Sequence, residues 1–339
     1  MKVFKFAAIG VALSIATSIA QAGTLEEVQA RGELNCVVTT GLAGFAAPDE
    51  NGRWDGFDIA FCRAVAAAVV GDGEKTKFVP STGKTRFTLL NSGEGDILFR
   101  NTTETMSRDV DLKLTFLPVN YYDGQGFLVR KDLGVDSALQ LEGASVCIQT
   151  GTTTELNLAD FFNSNGMSYE PVNTETNEES IANYTSGRCD AYTTDVSALA
   201  STRAALKDSS AHIILPEIIS KEPLAGAVRH GDDNWADIGK WVVNAIIIAE
   251  ELGITKDNIG ELCAAPVKNP SINRLCGTEG TMGEMIGLDA KWAVRAISVG
   301  GNYGEIFDAY VGPDTPLALE RGLNESWKKG GILYAAPIR

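Results

Sequence analysis

The strongest constraint on the fold is a strand–helix alternation that runs once, stops, and runs again. Residues 34–39 read as a strand. Residues 57–70 read as a helix, with Phe57, Phe61, Ala64, Val65 and Ala68 along one face. A short strand at 77–79, a helix at 86–91 ending near Gly93, and a strand at 96–99 complete the first unit. The second unit repeats the layout: strand 144–149, helix 153–164, strand 169–172, helix 178–186 stopped by Gly187, strand 189–193 and helix 196–206. Such alternation predicts sheets with parallel strands, covered by helices on both faces.

Between the units lies Gly126-Phe127-Leu128-Val129-Arg130-Lys131, an extended run with no turn residue, and a matching run at 224–228 follows the second unit. Read as two crossover strands, these runs make the first lobe discontinuous. The expected division is 23–128 with 226–339 for lobe 1 and 129–225 for lobe 2. The competing arrangement is two sequential domains on one linker. A chain of this length is too long for one compact core. A helix at 235–252 presents Trp235, Ile238, Trp241, Val242, Ala245, Ile246 and Ala249 on one face, and about 255–290 reads as a disulfide-pinned insertion rich in Gly, Pro and Asn. The expected class is α/β, two lobes, each a mixed, mostly parallel sheet flanked by helices.

Lys2 and Lys5, the apolar run 6–20 and Ala20-Gln21-Ala22 have the form of an export signal, residues 1–22, cleaved after Ala22. No cysteine stands there to carry a lipid, and 241–249 is apolar but far too short to span a membrane. The net charge of −15 becomes 27 − 44 = −17 once the two leader lysines are removed. That disfavours nucleic acid and anionic membrane surfaces as partners. An acidic exported chain suits the periplasm. The six cysteines, Cys36, Cys62, Cys147, Cys189, Cys263 and Cys276, read as disulfides in an oxidising compartment. Fifteen pairings are open. Order along the elements suggests Cys36–Cys62, Cys147–Cys189 and Cys263–Cys276, the last closing a short loop worth about 3 kcal/mol in the chain-entropy model. There is no CxxC pair, and His212 and His230 are the only histidines, so no metal site is expected.

The chemistry concentrates in three polar segments. Asn101-Thr102-Thr103-Glu104-Thr105-Met106-Ser107-Arg108 follows the strand at 96–99, and 105–110 has the look of a helix start. Hydroxyls, helix-terminal N–H groups and an arginine fork make a carboxylate receptor. Gly151-Thr152-Thr153-Thr154 adds donors after a second strand, and Asp195 adds a carboxylate after a third. A ligand anionic at one end and cationic one carbon away is an α-amino acid. Each segment alone also reads as a capped helix start or a surface turn.

With these segments in order, the chain resembles the periplasmic amino-acid-binding proteins of ABC importers, most of all the long subfamily of broad L-amino-acid specificity (solute-binding protein family 3). The residues that carry the resemblance are Asp49-Glu50-Asn51-Gly52-Arg53-Trp54-Asp55-Gly56-Phe57-Asp58, Ser92-Gly93-Glu94-Gly95-Asp96-Ile97, the segment ending in Arg108, Val146-Cys147-Ile148-Gln149-Thr150-Gly151-Thr152-Thr153, and Ser186-Gly187-Arg188-Cys189-Asp190-Ala191 through Asp195. The resemblance implies the type II periplasmic-binding-protein fold, a clamshell that closes on its ligand. It implies that Arg108 grips the α-carboxylate with Thr103 and the 151–153 helix start, and that Asp195 takes the α-ammonium. It implies delivery to membrane permease subunits with a cytoplasmic ATPase, by a monomer without cofactor. Relatives often place an aromatic ring near Leu42; here Phe45 serves, or is ordinary core. Arg100 and Asn101 stand where many relatives have small hydroxyl residues. Arg86 lies near the expected side-chain pocket, and with Arg100 it points to acidic or polar ligands. The alternative for both is a solvent-facing salt bridge, preferred for Arg100.

An exported enzyme on the same scaffold, of the cyclohexadienyl dehydratase kind, is the competing function. It needs a general acid or base in the cleft. Neither histidine lies near a motif, no Gly-x-Ser-x-Gly elbow is present, and Asp195 beside an ammonium is expected to stay ionised. A receptor's sensor domain would need a span or signalling domain that this sequence does not contain.

Overall fold

The structure is a computed structural model, described over residues 23–339; the expected leader, 1–22, lies outside the described residues. Helix α1 (Thr24–Arg31) leads into β1 (Leu34–Thr39). A small hairpin, β2 (Ala47–Pro48) and β3 (Trp54–Asp55), precedes α2 (Phe57–Val70), followed by β4 (Thr76–Ser81), α3 (Arg86–Asn91), β5 (Ile97–Leu98) and β6 (Leu114–Asp123). Then come β7 (Gln125–Arg130), β8 (Ser145–Gln149), α4 (Thr153–Ser164), β9 (Glu170–Thr174), α5 (Asn177–Thr185), β10 (Ala191–Asp195), α6 (Val196–Ala205) and β11 (His212–Ile214). The chain returns through β12 (Glu222–Arg229), α7 (Asp233–Glu251), α8 (Ile259–Leu262), α9 (Pro270–Leu275), α10 (Trp292–Gly300) and α11 (Tyr303–Tyr310).

Two five-stranded sheets share one plan. Their orders are β4-β1-β5-β12-β6 and β9-β8-β10-β7-β11. In each, three parallel strands are followed by two antiparallel ones. The chain passes from the first sheet to the second at Gly124, and back between Ile214 and Glu222. These points lie a few residues ahead of the boundaries read from sequence, 128/129 and 225/226. The extended runs belong to their new sheet from their first residue, and Gly124 is the turn residue that precedes the first. Strand β6 has no counterpart in the sequence reading. Pro118 interrupts its pattern, and a proline is tolerated there because β6 is an edge strand.

Helix α2 is apolar nearly all round because it is buried nearly all round. It packs with α7, α10, α11 and α1 into the core of the first lobe. Asp232 caps α7 by accepting the Trp235 N–H at 3.0 Å, and the α7 face from Trp235 to Ala249 closes that core. The second lobe has its own core around Phe127, Leu158 and Phe162. The segment 255–290 packs Ile259, Leu275, Ile286 and Leu288 against the first core. Disulfides join Cys36 to Cys62, Cys147 to Cys189 and Cys263 to Cys276, and no cysteine is free among the described residues. Each disulfide therefore stays within a single lobe. The parallel strands of both lobes end at the interlobe gap, where open α/β sheets place ligands.

Candidate functional site

The lobes are closed on one another. Lys84 Nζ of lobe 1 meets Glu175 Oε1 of lobe 2 at 2.8 Å, Thr40 Oγ1 donates to Glu178 at 3.3 Å, and Ser201 Oγ donates to the Ala43 carbonyl at 2.8 Å. Inside these rims lies a cavity of about 20 Å³, lined by Arg86, Arg100, Asn101 and Thr103 from one side and by Gln149, Thr152, Thr153, Thr154, Asn177, Thr194 and Asp195 from the other. That is room for one water. A cavity of this size admits no larger ligand while the lobes stay in this position.

Asp195 ends β10 and starts α6. Its Oδ2 accepts the Asn101 amide across the gap at 3.2 Å. Burial pushes its carboxyl well above the usual carboxylate range, and the neighbouring acids Asp123 and Glu222 push it further, against the Asn101 bond and Arg86. Burial likewise raises Asp123 to about 6. Asn101 adopts φ +31°, which a short amide side chain tolerates better than most, and its N–H donates to Asp58 Oδ2 at 3.0 Å. Burial raises Asp58 to about 7.

Three arginines form the opposite wall. Arg86, Arg100 and Arg108 are 2%, 2% and 6% exposed. None has a carboxylate within ion-pairing distance among the described residues. Arg108 Nη1 donates to the Thr103 carbonyl at 2.8 Å and its guanidinium lies 5.1 Å from the Phe87 ring. It does not line the cavity itself; it stands behind Thr103, within reach of the fields of Glu222 and Asp195. Burial lowers Arg108 and Arg100 to about 10, and both remain cations at neutral pH.

The sequence reading passed over Glu222. It is 1% exposed and accepts from Thr103 and Thr153 (2.9 Å) at one oxygen, and from Asn157 (2.7 Å) and Ser220 (2.6 Å) at the other. Thr153 and Asn157 belong to α4, so this carboxylate of the returning strand fastens the second lobe to the first. The available signal was a glutamate beginning an otherwise apolar strand. Its place opposite Asp123 in the sheet register was not available without the β6 strand.

Thr103, Thr152, Thr153, Asn101, Arg86 and Asp195 meet at the cavity. Thr152 is the N-cap of α4, and its hydroxyl also donates to the Gln149 carbonyl at 2.6 Å. Three expectations are corrected. Phe45 is 1% exposed and stacks edge-on with Phe57 and Tyr121 inside lobe 1; a tight turn, with the Phe45 N–H on the Leu42 carbonyl at 3.0 Å, points it inward, and it lines no part of the cavity. Arg100 faces the cavity and not solvent, because it follows the central strand β5 at the sheet's C-terminal edge. The expected helix start at 105–110 is a single π turn, Ser107–Asp111, and it offers no row of free N–H groups.

Residues 34–253 match the family described as bacterial extracellular solute-binding proteins, family 3. The chain is 56% identical over 334 residues to the glutamate/glutamine/aspartate/asparagine-binding protein BztA of Rhodobacter capsulatus, covering 98% of each. It is 55% identical over 336 residues to the general L-amino acid-binding periplasmic protein AapJ of Rhizobium johnstonii, again covering 98% of each. A solved ABC transporter periplasmic binding protein from Brucella ovis, with glutathione bound, is 53% identical and superimposes with a TM-score of 0.91 over 94% of this chain and all of that one. The chain therefore belongs to the bacterial extracellular solute-binding proteins of family 3.

Proposed function

We propose that this protein is the periplasmic substrate-binding component of an amino-acid ABC importer. It binds L-amino acids between its lobes, closes on them, and presents the closed form, as a monomer, to membrane permease subunits served by a cytoplasmic ATPase. The single observation that carries this reading is the closed interlobe cavity, lined by Asn101 and Thr103 of lobe 1 and by Thr152, Thr153 and the buried carboxyl Asp195 of lobe 2, with the buried Arg108 guanidinium hydrogen-bonded to the Thr103 carbonyl beside it. Arg108, with Thr103, takes the α-carboxylate. Asp195, oriented by Asn101, takes the α-ammonium, and the hydroxyls of Thr152 and Thr153 complete the polar shell. Residues 1–22 direct export and are removed after Ala22. The relatives named for amino-acid binding support this reading at high identity over nearly the whole chain. No chemistry is assigned: the carboxyls raised by burial lie beside hydroxyls, amides and arginines, with no histidine among the cavity residues.

Native mass spectrometry of freshly purified protein, followed by calorimetry with each amino acid, tests the reading. A co-purified amino acid, and binding that vanishes for the matching amine and the matching N-acetyl compound, is the expected result. Tight binding of a compound lacking either α-group overturns it.

A further inference from the structure

Helix α6 follows Asp195 but is not capped by it. In α4, α5 and α7 the N-cap side chain serves its own helix. Thr152 accepts the Glu155 N–H at 3.3 Å, Thr176 the Glu179 N–H at 3.2 Å, and Asp232 the Trp235 N–H at 3.0 Å. Asp195 holds the same place before α6, with a non-helical ψ of 139°, yet its carboxyl makes no bond of this kind. Aspartate is among the strongest N-cap formers, because its oxygen accepts an N–H from the second or third helical residue. Here Oδ2 of Asp195 accepts from Asn101 Nδ2 instead, and the residue lines the interlobe cavity.

The first-turn donors of α6 are met from the other side of the crossover. Asp123 is the last residue of β6 in lobe 1. Its Oδ2 accepts the Ser197 N–H at 3.4 Å, and its Oδ1 accepts the Gly124 N–H at 2.8 Å. The Gly124 carbonyl accepts the Val196 N–H at 2.8 Å. Both N–H groups that follow Asp195 are therefore satisfied by residues 123–124. Two acids stand at one helix end, and only one of them serves the helix. Asp123 also repels the Asp195 carboxyl, which acts in the same direction.

We propose that Asp123 is a positioning residue for ligand binding: by capping α6 from lobe 1, it keeps the Asp195 carboxyl off its own helix and free for a ligand's ammonium. The proposal rests on the reading that Asp195 takes the α-ammonium. Without Asp123 the Ser197 N–H loses its acceptor, Asp195 turns back to cap α6, and a ligand must pull it away again. The loss equals one N-cap bond. It falls on every amino acid alike, because all of them present the α-ammonium.

Calorimetry with L-glutamate and L-glutamine on a double-mutant cycle of Asp123 and Asp195 is the test. Asp123→Ala is expected to weaken both ligands roughly five- to tenfold. Asp123→Asn keeps an acceptor for the Ser197 N–H and is expected to restore affinity to within about twofold of wild type. In an Asp195→Ala background, read at raised ligand concentration, Asp123→Ala is expected to change affinity by less than about twofold, since the carboxyl it positions is gone. A residue that merely holds α6 in place would weaken binding equally in both backgrounds, and that result overturns the proposal. So do wild-type affinity for Asp123→Ala and an Asp123→Asn variant as weak as the alanine one. If Asp123→Ala does not fold, Asp123→Ser, whose hydroxyl lacks the reach of a carboxyl, replaces it in the cycle. Failure of the reading beneath it looks different: Asp195→Ala alone would bind both ligands as wild type does, and the proposal falls with it.

Discussion

In the proposed reading, Arg108 faces the ligand's α-carboxylate and Asp195 its α-ammonium, both in a buried space between the lobes. Arg108→Ala is expected to cost about 3 kcal/mol of binding for every amino acid, because the α-carboxylate would be desolvated without its main donor. Arg108→Lys recovers only part of this, since an ammonium lacks the fork. Calorimetry on both variants reads the result; near wild-type affinity for the alanine variant removes Arg108 from the site. Asp195 has the opposite sign of problem. Burial and the fields of Asp123 and Glu222 raise its carboxyl, and an arriving ammonium lowers it again, so binding at a pH between those two values releases a proton. Affinity therefore climbs as pH rises toward that raised pKa and levels off above it. Calorimetry in buffers of different ionisation enthalpy measures the release; no buffer dependence for wild type, or unchanged dependence in Asp195→Asn, contradicts it. Asp58 affects stability by the same physics. Its folded pKa of about 7 exceeds the ordinary 3.8, so the unfolded chain ionises first and stability falls as pH rises between those values. Asp58→Asn, which keeps an acceptor for the Asn101 N–H, should melt above wild type at pH 8 and level with it at pH 4. At this scale the sequence was most informative about which polar residues meet between the lobes, as at Asn101, Thr103, Thr152, Thr153 and Asp195. It misled at Phe45, where an aromatic has two uses and only the fold chooses.

Secondary structure was legible where amphipathic or fully apolar patterns were long. The sequence reading of α2 and α3 agrees with the structure to the residue, and α7 to within two residues. It failed for β2 and β3, two residues each, and for β6, whose proline breaks the period. The hairpin β2–β3 nevertheless shapes the site's foundation. Gly56, at φ +132°, lets the chain turn into α2 directly against the Phe45 carbonyl, where an added Cβ would overlap the backbone. Gly56→Ala is therefore expected to destabilise lobe 1 by several kcal/mol, about 3 or more, because both the backbone conformation and the contact are backbone-imposed. Thermal melts read this directly. A variant melting within a degree of wild type would show that the turn relaxes. The 255–290 insertion offers the contrasting case. Its disulfide closes a separation of 13 residues, and a Cys263→Ala/Cys276→Ala variant should lose about 3 kcal/mol while keeping ligand affinity, since the segment packs on the lobe 1 core and none of its residues lines the cavity.

At the scale of the whole molecule, the two sheets repeat one strand plan and exchange the chain twice, so the lobes are joined only through Gly124 and the 215–221 return, the two places where the proposed clamshell motion would hinge. Closure takes guanidinium and carboxyl groups out of water together, and ligand charges offset that desolvation. Glu222 sets the balance in the other direction. It lies in the returning strand of lobe 1 and accepts from Thr153 and Asn157 of lobe 2, so these bonds tie the two lobes together in the closed structure. Removing them favours the open state whatever the ligand's side chain. Small-angle scattering of wild type should show a smaller radius of gyration with L-glutamate and with a neutral L-amino acid at saturation, and no change with the matching amines or N-acetyl compounds. Glu222→Ala should need roughly tenfold more of every ligand for the same contraction, a common factor because the lost contact is between lobes and not to the ligand. A Glu222→Ala protein that contracts at wild-type concentrations, or that loses one ligand and keeps the rest, would show that Glu222 does not hold the lobes together.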